Sequence, residues 1–275
     1  MSKLETAFSK AMKEQNKQPG NADQHKADAA TNSSNDIAKV SGTQATISPR
    51  NQISRMQQEF TFTEDQLADR RLIYPSMKDE KLLNIYRNIR TKLIAKAGSK
   101  NFTTLVTSVV PAGGTSLIAA NIANVFAFDE GKTSLLIDAN VRSPALAEIF
   151  QLESEAGIVD YLESDDMPLD KILYPTGVSR LRLIPVGSQR ENATEYFSSE
   201  RMGQFFNEVV ERYAERYPII DAPSLSDSAD TRILIDKCDL VVLVIPYGQC
   251  TTQEIKTAAR TIGQSKLAGV VLNQF

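Results

Sequence analysis

From about residue 102 onward, short apolar runs alternate with segments that have helical periodicity. Strands that are apolar on both faces and separated by helices are typical of a parallel sheet covered on both sides. The sequence therefore predicts an α/β fold with a doubly wound parallel sheet flanked by helices. The predicted strands are 102–108, 133–138, 181–185, 217–221, 240–245 and 267–272, and the predicted helices are 79–97, 116–128, 144–150, 198–216, 228–236 and 252–264.

The composition excludes several functional classes. The chain has 275 residues, of which 41% are hydrophobic, so it can bury a core, and its net charge of −3 predicts no nucleic-acid partner. One histidine, His25, and two cysteines, Cys238 and Cys250, are too few for a zinc site, a histidine-based triad or a disulfide scaffold. No apolar run reaches the roughly 18 residues that a transmembrane helix needs, and we expect a cytoplasmic protein.

Two segments precede the predicted sheet. The first is predicted to be an amphipathic helix, because Leu4, Phe8 and Met12 recur at every fourth residue; a frayed terminus is the alternative. The second is rich in Gln, Asn, Ser, Asp and Lys, a composition that predicts disorder. The predicted organisation is a short helix over 1–16, a disordered linker over 17–75 and an α/β domain over 76–275.

The predicted helix 79–97 has one apolar stripe and places Arg87 and Arg90 off it. The two arginines are interpreted either as a contact for a neighbouring subunit or adaptor, or as a solvated helix face. The predicted stripe consists of Leu82, Leu83, Tyr86, Ile89, Leu93 and Ile94.

The loop after the first predicted strand has the pattern of a phosphate-binding loop. Gly113 and Gly114 let the backbone approach a phosphate, and the N-terminus of the following helix adds its dipole. A working P-loop ends in Gly-Lys-Ser/Thr, in which the lysine reaches the β- and γ-phosphates and the hydroxyl binds Mg²⁺. Here Thr115 stands between Gly114 and Ser116, so the loop lacks that positive charge.

Two further strands end in an aspartate. Asp138 begins the loop that contains Asn140 and Arg142, and Asp221 ends another apolar strand. A carboxylate in such a buried position needs a partner, which could be Mg²⁺, a water or an arginine. Arg142 is as well explained by packing at a helix start as by phosphate contact. Because ligands bind at the carboxyl ends of parallel strands, we expect the three loops to form one nucleotide-type site.

These motifs resemble the bacterial tyrosine kinases of exopolysaccharide synthesis, within the MinD/ParA-like group of P-loop NTPases. The resemblance covers about residues 76–275 and extends to the N-terminus, which looks like that of kinases encoded apart from their membrane adaptor. The matching stretches are Asn84-Ile-Tyr-Arg-Asn-Ile-Arg-Thr91, Ser108-Val-Val-Pro-Ala-Gly-Gly-Thr-Ser-Leu117, Leu135-Leu-Ile-Asp-Ala-Asn-Val-Arg-Ser-Pro144, Leu183-Ile-Pro-Val-Gly187, Asn192-Ala-Thr-Glu-Tyr-Phe-Ser198, Ile219-Ile-Asp-Ala-Pro-Ser224 and Gly269-Val-Val-Leu-Asn273.

The resemblance implies ATP or ADP with Mg²⁺ as cofactors. It also implies a membrane polysaccharide co-polymerase as adaptor, a peripheral location at the inner membrane through that partner, and a homo-oligomer through the Arg87/Arg90 helix. Asn273 resembles an asparagine that contacts the adenine. The site residues carried over are Asp138, Asn140 and Asp221 as catalytic, Gly113, Gly114, Thr115, Ser116, Leu117, Arg142 and Asn273 as cofactor-binding, and Ser116, Asp138 and Asp221 as metal ligands.

The sequence departs from the family at residues that carry the chemistry. Thr115 replaces the lysine, Ala112 a loop glycine, Asn140 the second aspartate of its motif, and Asn84 the glutamate of the oligomer motif. No tyrosine follows Tyr247, whereas family kinases have a tail of clustered tyrosines. The leading hypothesis is therefore a degenerate, inactive or weakly active kinase-like domain that regulates exopolysaccharide or capsule export.

Two alternatives stay open. The first is an active, non-standard ATPase or tyrosine autokinase that uses Ser116, Asp138 and Asp221 around Mg²⁺. The second is a partition ATPase of the MinD/ParA type. It is disfavoured because that group has a second lysine early in the loop, where this chain has Val109 and Val110.

Overall fold

A computed structural model describes residues 60–98, 101–190, 193–212 and 215–274, without the side chains of 193 and 194. The predicted helix over 1–16 and the predicted linker up to residue 59 lie outside the described residues. Within them the helices are α1 (Glu64–Asp69), α2 (Glu80–Ala97), α3 (Thr115–Ala127), α4 (Leu146–Ile149), α5 (Ile158–Glu163), α6 (Glu200–Glu211), α7 (Asp230–Lys237) and α8 (Thr252–Ile262), with 3₁₀ helices at Leu169–Ile172 and Ala193–Ser198. The strands are β1 (Thr104–Ser108), β2 (Thr133–Asp138), β3 (Tyr174–Pro175), β4 (Leu181–Ile184), β5 (Arg216–Asp221), β6 (Leu240–Pro246) and β7 (Leu267–Asn273).

The seven described strands form one sheet in the order β3-β4-β2-β5-β1-β6-β7. All neighbouring strands pair in parallel except β3, which pairs antiparallel with β4. β1, β2, β5 and β6 are buried along their whole length, as strands covered on both faces must be. The predicted α/β fold with a parallel sheet flanked by helices is confirmed.

Several element predictions are wrong in detail. The helix predicted over 198–216 ends at Glu211, and Arg216 already belongs to β5. The helix predicted over 144–150 is a single turn. Helix α5 and strand β3 were not predicted, because both are too short to show a period and are held by tertiary contacts. The backbone N–H of Ile158, for example, donates to the carbonyl of Pro185.

Residues 60–75 are part of the folded domain, contrary to the predicted linker that ends at 75. Thr63 caps α1 in a capping box with Gln66, and Phe62, Leu72 and Ile73 are buried in the core of the sheet domain. The linker was predicted from the polar composition of the whole region, in which these three apolar residues are a small minority. An ordered segment therefore enters the domain earlier than residue 76.

Helix α2 packs by a narrower face than predicted. Leu83, Tyr86 and Leu93 are buried, whereas Leu82 and Ile94 are 37% and 38% exposed. Arg90 does not lie off the packed face: its Nη1 donates to the carbonyl of Val125 at the end of α3, at 3.0 Å. Arg87 is exposed, as predicted.

The backbones around Gly157 and Gly187 approach each other closely after β4. Gly187 has φ +78°, and a Cβ there would collide with Oδ2 of Asp160 and the backbone of Gly157. Gly263, with φ +81°, has open space around the same position. The two glycines share the backbone requirement and differ in crowding.

We predict that Gly187→Ala lowers the free energy of unfolding by about 3 kcal/mol, the sum of left-handed strain and overpacking. Gly263→Ala is the matched control and should cost about 1 kcal/mol, the strain alone. Urea unfolding of both variants measures the difference. Equal losses would contradict the steric reading of the Gly157–Gly187 crossing.

Candidate functional site

The β1–α3 loop has the backbone shape of a phosphate-binding loop. Gly114 caps α3 with φ +77°, and a Cβ at Gly113 would lie 2.8 Å from Cβ of Ser108. Oγ of Ser108 donates to the carbonyl of Val110 at 2.7 Å and so closes the start of the loop. Both glycines are therefore required by the turn. The loop ends at the N-terminus of a 13-residue helix, whose free N–H groups and dipole favour an anion.

Two loop residues differ from what such a turn prefers. Ala112 has φ +56°, a left-handed conformation that costs an L-residue roughly 1–2 kcal/mol. Thr115, the first residue of α3, is 9% exposed and brings no charge to the loop.

Lys132 does not replace the missing cation. Its Nζ lies 5.5 Å from the ring centre of Tyr217, near the amino end of β5 and away from the loop.

Asp138 and Asp221 are neighbours in register at the carboxyl ends of β2 and β5. Asp138 accepts hydrogen bonds from the backbone N–H groups of Asn140 and Leu146, at 3.1 and 3.2 Å. Burial nevertheless raises the pKa of Asp138 to about 7. For Asp221, burial and the neighbouring Asp138 raise the pKa well above its ordinary value, against a smaller opposing effect of the Ser116 hydroxyl. The pair thus disfavours two negative charges.

The residues at this position fit Mg²⁺. In the part of the chain that the structure describes, the Ser116 hydroxyl lies near the fully buried Asp221, but neither carboxylate oxygen has a partner at full hydrogen-bond geometry. Magnesium prefers oxygen ligands and keeps several waters or phosphate oxygens, so two carboxylates and the Ser116 hydroxyl are a sufficient protein contribution. The described residues contain no group of three or more acidic, histidine or cysteine side chains placed to hold a metal. The assignment of Ser116, Asp138 and Asp221 as metal ligands stays a prediction.

A groove of about 280 Å³ lies beside the loop. Nδ2 of Asn273 donates to the carbonyl of Gly113 at 2.8 Å, and the backbone N–H of Tyr247 donates to the carbonyl of Asn273 at 2.7 Å, so the ends of β6 and β7 are joined to the loop. The lining residues are Arg71, Ala112, Gly113, Gly114, Leu117, Pro246, Tyr247, Gln249 and Asn273.

The predicted site residues lie at the carboxyl ends of β1, β2, β5 and β7 or in the segments that follow them. Gly113, Gly114, Leu117 and Asn273 line the groove, whereas Thr115, Ser116, Asp138, Asn140, Arg142 and Asp221 do not. Oδ1 of Asn140 accepts from the backbone N–H of Ser143 at 3.3 Å, and Arg142 is exposed. Tyr247 and Gln249 were missed, although their place after an apolar strand was a usable signal. Arg71 gave no signal, because it fell in the predicted linker.

A glycine loop between a strand and a helix, with two aspartates at the ends of adjacent parallel strands, defines the class of P-loop NTPases. Comparison with protein-family models finds no match. The chain is 32% identical over 203 residues to the tyrosine-protein kinase YwqD of Bacillus subtilis, covering 72% of this chain and 84% of YwqD. It is also 32% identical over 196 residues to the tyrosine-protein kinase CpsD of Streptococcus pneumoniae, covering 69% and 83%. The chain therefore belongs to the bacterial tyrosine-protein kinase family.

More distant sequence relatives and solved structures are also similar to this chain. The succinoglycan biosynthesis transport protein ExoP of Rhizobium meliloti is 27% identical over 65% of this chain and 23% of ExoP. Among solved structures, the kinase domain of VpsO has a TM-score of 0.60 and 26% identity, covering 72% of this chain and 98% of that domain. The chimerical protein CapA2B2 has a TM-score of 0.66 at 24% identity over 78% and 91% of the two chains. A ParA family ATPase from Chlorobium tepidum shares the fold, with a TM-score of 0.51 at 18% identity over 63% and 74%.

We predict that Asp221→Asn stabilises the protein at alkaline pH. Because the folded-state pKa of each aspartate is raised, to about 7 for Asp138, their contribution to stability is intact below about pH 4 and is progressively lost as the pH rises to about 7 and above. The variant removes that loss and should raise the free energy of unfolding by roughly 1–3 kcal/mol at pH 8, and by little at pH 4.

Denaturant unfolding between pH 4 and 8, with a chelator present, measures this effect. Asp165→Asn, at an exposed position, is the control and should change little at either pH. If Asp221→Asn is less stable than the wild type at pH 8, the inferred repulsion between Asp138 and Asp221 is wrong.

Proposed function

We propose that this chain is a degenerate bacterial tyrosine kinase domain that binds nucleotide weakly and regulates polysaccharide export rather than transferring phosphate. The observation that carries the proposal is Thr115 at the lysine position of a loop that keeps Gly113, Gly114 and the start of α3. Ser116, Asp138 and Asp221 remain together beside it. These contacts support a site with the layout of a kinase site that lacks the cation holding the transferred phosphate.

The size of the effect supports weak binding. Removing one member of a buried charge pair costs roughly 2–5 kcal/mol, which is about 30- to several-thousand-fold in affinity. A site of micromolar affinity would then bind in the high micromolar to millimolar range. Phosphoryl transfer suffers more, because the lysine also stabilises charge in the transition state.

The two charge-changing differences from the family pattern cancel, which supports a site that is still used for binding rather than one that has lost its function at random. Replacing the lysine by Thr115 and the second aspartate by Asn140 removes one charge of each sign from the site. A buried carboxylate without a counter-charge is costly, so loss of the lysine alone would destabilise the site further. The paired changes keep the net charge unchanged relative to the family pattern.

The polysaccharide context comes from the relatives. ExoP is a succinoglycan biosynthesis transport protein, and this chain matches the portion of it described above. We propose a membrane polysaccharide co-polymerase as the adaptor, and a peripheral location at the inner membrane through it. Over the described residues, no helix is both long and apolar enough to cross a bilayer. In this proposal residues 1–16, which lie outside the described residues, are a second docking segment.

An active, non-standard autokinase is the second candidate. It is favoured by the proximity of Ser116 to Asp221 and by the pairing of Asp221 with Asp138, because these three residues are the predicted oxygen ligands of Mg²⁺. Titration with Mg-ATP separates the two candidates: a dissociation constant near or below about 1 μM, or phosphotyrosine formed by the purified protein, favours the active enzyme.

We predict that Thr115→Lys strengthens Mg-ATP binding by about 30-fold or more, because it restores the missing charge to an intact loop. Thr115→Lys with Asn140→Asp should bind at least as tightly. Isothermal titration measures both, and Thr257→Lys, which adds the same charge on an exposed face of α8, is the control. If the double variant folds but binds no better, the left-handed Ala112 has distorted the loop and the proposal fails.

We predict that Arg87→Glu releases the domain from its adaptor, because Arg87 is exposed on α2 and lines a polar cavity of about 360 Å³ with Ser76, Glu80 and Asn84. Deletion of residues 1–16 should act in the same direction, since a tethered second contact raises the effective concentration of the first.

Lys92→Glu, which makes the same charge change at an exposed position of α2, is the control and should have no effect. Co-sedimentation with membranes and the yield of exported polymer are the readouts. Normal sedimentation and export in both the Arg87→Glu and the deletion variant would rule out these docking surfaces.

A further inference from the structure

One positively charged side chain, that of Arg71, lines the groove beside the loop. Of the described residues that line it, Arg71 alone carries a charge. It lies in the groove with Gly113 and Gly114, the residues whose backbone would face a phosphate. We propose that Arg71 is a phosphate-binding residue that replaces part of the charge lost at Thr115. This proposal rests on the nucleotide site proposed above.

The backbone of Arg71 is held against the helix that follows the loop. Asn121 of α3 is 2% exposed; its Nδ2 donates to the carbonyl of Arg71 at 3.0 Å, and its Oδ1 accepts from the N–H of Ile73 at 2.7 Å. Nδ2 of Asn124, one turn later on α3, lies 3.4 Å from the carbonyl of Ile73. Asn121 is thus a positioning residue, because one buried amide fixes both sides of the turn that presents Arg71.

The turn itself is set by local geometry. Arg71 follows α1 with φ +57°, and the next two residues, Leu72 and Ile73, are each 1% exposed. The left-handed residue reverses the chain, so that Leu72 and Ile73 enter the core while Arg71 stays at the groove. Arg70, its neighbour, is placed differently: its guanidinium lies 4.5 Å from the ring centre of Phe62, and its Nη1 donates to the carbonyl of Gln66.

An arginine is suited to this role by its chemistry. Its guanidinium is always charged and presents several N–H donors in a plane that matches a phosphate. Because Arg71 is exposed, salt screens its attraction for an anion more strongly than that of a buried lysine. The structure therefore assigns it a moderate, salt-dependent share of the binding, in keeping with a weak site.

The test uses the full-length protein and Mg-ADP in isothermal titration at low and high salt. We expect Arg71→Gln to weaken binding about 5- to 10-fold at low salt and less at high salt, and Arg71→Lys to recover part of the loss. Arg70→Gln is the matched control and should bind as the wild type does. All substitutions at 71 keep an L-residue in the same left-handed conformation, so the comparison is not altered by backbone strain.

The positioning role of Asn121 is tested by a double-mutant cycle. Asn121→Ala should weaken Mg-ADP binding, and adding Arg71→Gln should then cost clearly less than it does in the wild type, since the two residues act as a unit. Full additivity would overturn the positioning role.

The remaining outcomes separate this inference from the proposed function. Equal binding by Arg71→Gln and the wild type, while Thr115→Lys strengthens binding, overturns the role of Arg71 and leaves the degenerate-kinase proposal standing. A loss in Arg71→Gln that does not shrink with salt also overturns the role of its charge. If neither the wild type nor Thr115→Lys binds Mg-ADP, both proposals fail.

Discussion

Two buried aspartates at the centre of the sheet constrain the rest of the site. Asp138 and Asp221 are forced side by side because β2 and β5 pair in parallel and in register, and neither oxygen of Asp221 has a partner at full hydrogen-bond geometry among the described residues. Low dielectric makes two adjacent negative charges unfavourable unless a cation or a proton is present. In the proposed nucleotide site that cation would be Mg²⁺, with no contribution from the uncharged Thr115.

The shape of the loop and its charge depend on different residues. Gly113 and Gly114 are needed by contacts and by φ, so the turn is preserved as long as these two residues are. The lysine, by contrast, contributes charge and is not required for the turn. The charge at position 115 can therefore change without a change in the fold of the loop, as the proposal of a degenerate site requires.

The segment before the sheet domain is coupled to the loop through α3. Asn121 and Asn124 bond the backbone of residues 71–73, while Arg90 bonds the carboxyl end of the same helix. The helix that begins at the loop is thus held on one side by the sheet and on the other by elements that precede β1. A partner that engages α2 would act on a neighbour of the candidate site, which gives a regulatory role a direct physical route.

The sequence by itself determined the α/β class, six of the seven described strands, and the residues of the loop and of both strand ends, because apolar periodicity and glycine turns are local properties. It did not determine the packed face of α2, the extent of the domain before residue 76, or the part that Arg71 has in the groove. Burial of Leu72 and Ile73 depends on an asparagine 48 residues away from Ile73, and the direction of Arg90 depends on the end of α3. Such long-range contacts leave no periodic trace in the chain, so only the tertiary structure decided which residues share the site.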